Sequence, residues 1–186
     1  MGNKKEIIVM MGGQGVGKGT FSRMLAERHD FNHIEVGAIL RTAPADSDIA
    51  KTISAGNLVP DDMLFNLMRK KMTPDRDIIL DGFPRKLSQA QWLVENYADK
   101  FNIHVIYLNV PENILIERIN KRIREGGGRA DDADPTVIRN RLDNYRKITM
   151  PAIEWLRTVP NIKFSDINAH GPAAENFAEI VAALRP

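Results

Sequence analysis

The chain has 186 residues, enough for one domain with a full core, and its 43% hydrophobic and 27% charged content is ordinary for a globular protein. Twenty-six Lys and Arg against 24 Asp and Glu leave a net charge of +2, from which no general polyanion-binding role follows. With no cysteine, disulfides and thiolate metal sites are excluded, and the first apolar run is too short for a signal-peptide core or a membrane span, so the expectation is a cytoplasmic protein without membrane contact.

That first run, Ile7–Met11, has the length and β-branched content of a buried parallel strand. It leads into "MMGGQGVGKGTFS", residues 10–22, in which Gly12 and Gly17 are spaced as in G-x-x-x-x-G-K. Glycines let several backbone N–H groups converge on one anion. A helix over Lys18–Arg28 adds its positive end, and Lys18 reaches outer phosphates as a point charge. A ligand-free glycine-rich turn is the bland alternative, disfavoured by the order strand, glycines, lysine, helix. A dinucleotide loop does not fit, because no G-x-G-x-x-G spacing occurs. Thr20 stands one residue later than the usual Ser or Thr after the lysine.

A weaker strand signal covers Phe31–Val36. Residues about 36–60, broken by Pro44, Gly56 and Pro60, read as an insertion of short helices. Asp61–Lys71 carries Met63, Leu64, Leu67 and Met68 at helical spacing. The strand Ile78–Leu80 runs into Asp81-Gly82-Phe83-Pro84-Arg85. An acid at the end of a buried strand can hold magnesium, directly or through water, and Asp81 fits that role. Gly82 permits close approach, and Pro84 stiffens the turn that presents Arg85; a capping Asp beside a solvated Arg is the alternative. Ser88, with Gln91 three residues on, predicts a capping box opening a helix over Ser88–Asp99.

The strand His104–Val110 precedes a helix over Glu112–Arg124, which puts Arg118 and Arg122 on one face. Residues about 124–135 contain three consecutive glycines and read as a moving loop that carries Arg129. Asp134 and Pro135 then cap and start a helix over Pro135–Leu156, containing Arg141. A strand Ile162–Phe164 and a helix Pro172–Leu184 complete the pattern. Such alternation predicts a parallel α/β sheet covered on both faces, with ligands beyond the carboxyl ends of the strands. Planar guanidinium groups bind phosphate oxygens in pairs. Arg41, Arg85, Arg118, Arg122, Arg129 and Arg141 are the candidates, while Arg124, Arg139 and Arg146 read as solvated.

The segments "GGQGVGKGT", "AGNLVPDD", "DGFPR" followed by Gln89, and "GRADD" before a long helix resemble the adenylate kinases, in that family's order and near its spacing. In that family the loop runs Gly-Lys-Gly-Thr, which accounts for the displaced Thr20. The resemblance implies a three-layer P-loop kinase core with a five-stranded parallel sheet, a helical monophosphate-binding insertion at about 36–60 and a short lid at about 124–135. It implies reversible phosphoryl transfer from Mg-ATP to AMP, giving two ADP, in a monomer with no structural zinc. By match, Gly15, Val16, Gly17, Lys18, Gly19 and Thr20 hold the ATP phosphates. Arg118 covers the ATP adenine and Gly171 gives it a backbone contact. Arg41 and Arg85 grip the AMP phosphate, Leu58, Val59 and Gly82 line the AMP site, and Gln89 reads adenine. Gln89 has an alternative as plain helix surface. Arg122, Arg129 and Arg141 close on the phosphates. The chain departs from the family's Ser-Thr-Gly-Asp at Glu35-Val36-Gly37-Ala38, on the acceptor side. A kinase for UMP or CMP is the alternative within the class, although the pyrimidine enzymes usually carry Asn at the Gln89 position. A nucleotide-binding switch without transferase activity is the alternative outside it.

Overall fold

Five parallel strands form one sheet in a computed structural model that describes residues 4–126 and 134–185. They are β1 (Lys5–Gly12), β2 (Asn32–Glu35), β3 (Ile78–Asp81), β4 (Phe101–Asn109) and β5 (Lys163–Asn168), in the spatial order β2-β3-β1-β4-β5. Strand β4 starts at Phe101 rather than His104, because Phe101 and Ile103 also pair with β1 and are buried. Strand β5 runs on to Asn168. Its edge position leaves only Ile167 buried, so its polar sequence hid its length from a search for apolar runs.

Alternation along β1 sends Ile7, Val9 and Met11 to one face and Ile8 and Met10 to the other, all of them buried. The first face packs under helices α4 (Asp61–Lys71), α5 (Leu87–Tyr97) and α8 (Met150–Thr158). The second packs under α1 (Lys18–Arg28), α6 (Glu112–Arg124) and α9 (Ala173–Leu184). Each such side chain contributes about 1.5–3 kcal/mol when fully buried, so the strand that carries the glycine loop is firmly anchored in the sheet. Two short helices, α2 (Val36–Arg41) and α3 (Asp48–Ser54), occupy the stretch between β2 and α4.

Helices α1, α4 and α6 start and stop where the sequence predicts. Two others do not. The capping box at Ser88 is absent: α5 begins at Leu87 with Lys86 as its N-cap, and Ser88 Oγ donates instead to the Asp61 carboxylate. A tertiary partner has outcompeted the local cap. The helix expected over Pro135–Leu156 is three pieces, α7 (Pro135–Asn144), a π-turn (Tyr145–Thr149) and α8. The N–H of Met150 reaches back five residues to Tyr145 O. Pro151 has no N–H to continue an α-helical ladder, so the turn before it widens. The cap at Asp134 does form, its side chain accepting from Thr136 N at 2.7 Å. Among the described residues no helix is long and apolar enough to cross a membrane. The part of the expected lid at residues 127–133, including Arg129, lies outside the described residues.

Candidate active site

The chain leaves β1 toward β2 and leaves β3 toward β4, so the adjacent strands β1 and β3 mark the point where the winding reverses. A cleft of about 520 Å³ opens at their carboxyl ends. One wall is the glycine loop. Gly17 is the N-cap of α1 with φ 104, a left-handed conformation that a larger residue would strain, and α1 has no side-chain cap, which leaves its first N–H groups for an anion. Lys18 Nζ folds back across the loop and donates to Gly12 O at 2.7 Å and Gly13 O at 2.9 Å. Gly15, Gly17, Gly19 and Thr20 line this wall, and Arg122 reaches it from α6.

The opposite wall is built by Arg41 of α2, by Leu58 and Val59, and by the turn after β3 with Gly82 and Arg85. Arg85 Nε donates to Gly82 O at 3.0 Å, which pins the guanidinium across the turn. Gln89 is 1% exposed, so it is not helix surface. Its Oε1 accepts from Arg85 N at 2.7 Å and its Nε2 donates to Asp61 Oδ1 at 2.8 Å, which fixes the amide's orientation at the cleft. Burial raises the Asp61 pKa, but hydrogen bonds from Ser88, Gln89 and Lys86 outweigh it and hold the carboxyl below its ordinary range. Arg141 enters from α7, whose Asn140 and Asn144 donate to Ala55 O and Gly56 O.

Three residues carried over by resemblance stand outside the cleft. Val16 is 1% exposed and packs in the core under α1 and α9. Arg118 donates to Ala169 O at 2.8 Å and His170 O at 3.2 Å, which ties α6 to the turn that contains Gly171. Arg118 and Gly171 therefore meet at the rim beside the glycine loop rather than within the cleft.

Sequence reasoning missed Glu35 and Tyr145 as lining residues. Glu35 pairs in register with Asp81, a neighbour that only the sheet order reveals, and its Oε1 lies 3.3 Å from Arg41. Tyr145 falls in the π-turn, its hydroxyl 3.1 Å from that of Tyr107; burial and that partner push its pKa up. Asp81 is 7% exposed, and no hydrogen bond or ion pair from a described residue reaches its carboxylate. A Cβ on Gly19 would lie 3.2 Å from its Oδ2. A buried anion kept open beside a phosphate loop suits a magnesium ion that arrives with a nucleotide.

A doubly wound parallel sheet, a phosphate loop at its reversal point and a facing wall with two arginines together define a phosphate-loop nucleotide kinase. Comparison with known proteins narrows the class. The family model described as adenylate kinase matches residues 10–160. The chain is 35% identical to an adenylate kinase of Bacteroides thetaiotaomicron over 95% of its own length and 97% of that protein's. It is 33% identical to one of Thermus thermophilus over 96% and 97%, and 37% identical to one of Oenococcus oeni over 87% and 89%. The chain belongs to the adenylate kinase family and is an ATP:AMP phosphotransferase; a pyrimidine-specific role is not favoured.

Proposed function

We propose that the two walls of this cleft divide the reaction between them, ATP on the glycine loop and AMP against Arg41, Arg85 and Gln89. The observation that carries this division is a single cleft lined by both Lys18 and Arg85, with Arg122 and Arg141 entering from helices on either side of the lid segment. Phosphoryl transfer asks little covalent chemistry of the protein; it asks for alignment and for charge neutralised on both nucleotides. Lys18 leaves the Gly12 and Gly13 carbonyls to meet the moving phosphoryl group. Arg41 and Arg85 hold the acceptor phosphate, and Arg122, Arg129 and Arg141 neutralise the charge that develops between the two. Magnesium bound with ATP would neutralise phosphate charge, and Asp81 would hold it through water. Arg118 and the Gly171 backbone flank the ATP base from the rim.

Closing of the insertion at about 36–60 and of the lid at about 124–135 excludes water, so that the phosphoryl group passes to AMP and not to solvent. The protein works as a cytoplasmic monomer on free nucleotides, without nucleic acid or membrane. The test is ADP formation by the purified chain with Mg-ATP and, in turn, AMP, UMP and CMP. Turnover with AMP above the pyrimidines supports the assignment; none with AMP overturns it.

A further inference from the structure

On the side of the sheet covered by α1, three side chains converge at the ends of β2 and β3. A ring nitrogen of His33 and carboxylate oxygens of Glu35 and Asp81 all lie within 4.8 Å of one another. Strand geometry makes the convergence: His33 and Glu35 are two apart and share a face, and Glu35 is the register partner of Asp81. One of the three groups is buried without a hydrogen-bond partner, and a second opens on the cleft. The carboxylate of Asp81, 7% exposed, has no partner among the described residues. His33 Nε2 is buried, also without a hydrogen-bond partner among them. Leaving a buried imidazole nitrogen unpaired is unfavourable by about 1–3 kcal/mol, and a cation beside the ring and the two carboxylates offers it a partner.

We propose that His33, Glu35 and Asp81 form a direct divalent-cation site that takes Mn2+ in preference to Mg2+. Mg2+ is a hard ion that keeps its waters and prefers oxygen. An imidazole nitrogen shifts preference toward first-row transition ions. A six-coordinate ion held by three protein atoms keeps positions for phosphate oxygens and water, whereas tetrahedral Zn2+ would keep one. Arg41 and Arg23 stand 3.3 and 3.9 Å from Glu35 and compete with the ion for that carboxylate. An acceptor phosphate that draws Arg41 away releases Glu35 to the metal, so cation and acceptor support each other. Only this last coupling rests on the phosphotransfer reading; the site itself does not.

The experiment titrates Mn2+ into the full chain without nucleotide, in the presence of excess Mg2+, and follows free Mn2+ by electron paramagnetic resonance. The expected result is a single bound Mn2+ per chain with nitrogen modulation in its spin-echo envelope. His33→Gln abolishes the modulation, and it and Glu35→Gln each weaken binding at least about tenfold, the loss already seen for residues one shell further out. Mn2+ that stays free, binding without nitrogen modulation in the unaltered chain, or equal binding by Glu35→Gln overturns the site. The nitrogen signal is read on the unaltered chain, so a misfolded variant leaves the test intact. A chain that makes ADP from Mg-ATP and AMP but ignores Mn2+ loses only this site. One that binds Mn2+ with nitrogen modulation but makes no ADP keeps the site and loses the phosphotransfer reading.

Discussion

Gln89 and Asp61, on different helices, are joined by a 2.8 Å hydrogen bond from Nε2 to Oδ1 that aims the glutamine amide at the cleft. Asp61 also receives Ser88 Oγ and an ion pair from Lys86 at 2.9 Å. One exposed-edge carboxylate thus sets the first turn of α5 and the residue expected to meet adenine. Asp61→Ala leaves Gln89 Nε2 without that acceptor and frees the amide to rotate. The expected outcome is a KM for AMP raised about tenfold, the equivalent of one hydrogen bond's 1.4 kcal/mol, with kcat and the KM for ATP little changed. Steady-state kinetics with each nucleotide varied in turn check this; equal rises in both KM values would show general loosening instead.

Lys18→Met tests the loop. The methionine cannot donate to Gly12 O and Gly13 O, but those carbonyls lie beside an open cleft and can take water. Stability should change by no more than about 1 kcal/mol. The kcat should fall at least about a hundredfold, the scale of removing one group aimed at developing charge. Thermal unfolding and ADP formation measure the two separately, and retained turnover would assign the loop another task.

His104 predicts the pH dependence of stability. It is 4% exposed in β4, shares a 2.9 Å hydrogen bond with Ser165 Oγ, and has its pKa pushed down to about 4 by burial and by nearby Lys163. The unfolded chain takes up that proton near the ordinary value of about 6.5, the folded chain only near pH 4. Between these limits the unfolded state binds more protons, so stability is full above the upper one and declines as pH falls toward the lower. His104→Gln should flatten this part of a plot of Tm against pH between 7 and 4.5. Parallel curves for variant and parent would place the acid sensitivity elsewhere.

The residues that announce themselves by type and spacing were the legible part of the fold and cleft. The glycine loop, the Asp81–Arg85 turn and helices α1, α4 and α6 depend on local pattern, and the chain folds there as the pattern says. What stayed hidden depends on partners distant in sequence. Ser88 looked like a cap because nothing nearby showed Asp61, 27 residues away, competing for its hydroxyl. Glu35 looked incidental until the sheet order set it beside Asp81. The break at Tyr145 had a sequence signal in Pro151, masked by the apolar periodicity on both sides. The motif marks Arg118, but only the fold reveals that its guanidinium also donates to the carbonyls of residues 169 and 170.

Gly56 couples the insertion to the arm that carries Arg141. It has φ +76, and a Cβ there would meet Arg141 Cγ, Val137 Cγ1 and Val137 O, each at 3.2 Å. Asn140 donates to Ala55 O at 2.7 Å and Asn144 to Gly56 O at 3.1 Å, so α7 rests directly on this turn. Gly56→Ala therefore acts twice. The left-handed backbone is unfavourable by about 1–2 kcal/mol for any residue with a Cβ, which lowers Tm. The methyl group also pushes α7 outward by a few tenths of an ångström or more, at the residue that delivers Arg141 to the cleft. Small displacements of an aligned group are expensive in rate, up to about a hundredfold for 1 Å, so kcat should fall about tenfold or more. Asn140→Ala removes two hydrogen bonds but adds no bulk; it should speed amide exchange at residues 55–57 and lower kcat less. A Gly56→Ala chain with reduced Tm but unchanged kcat would show that Arg141 holds its place without this contact.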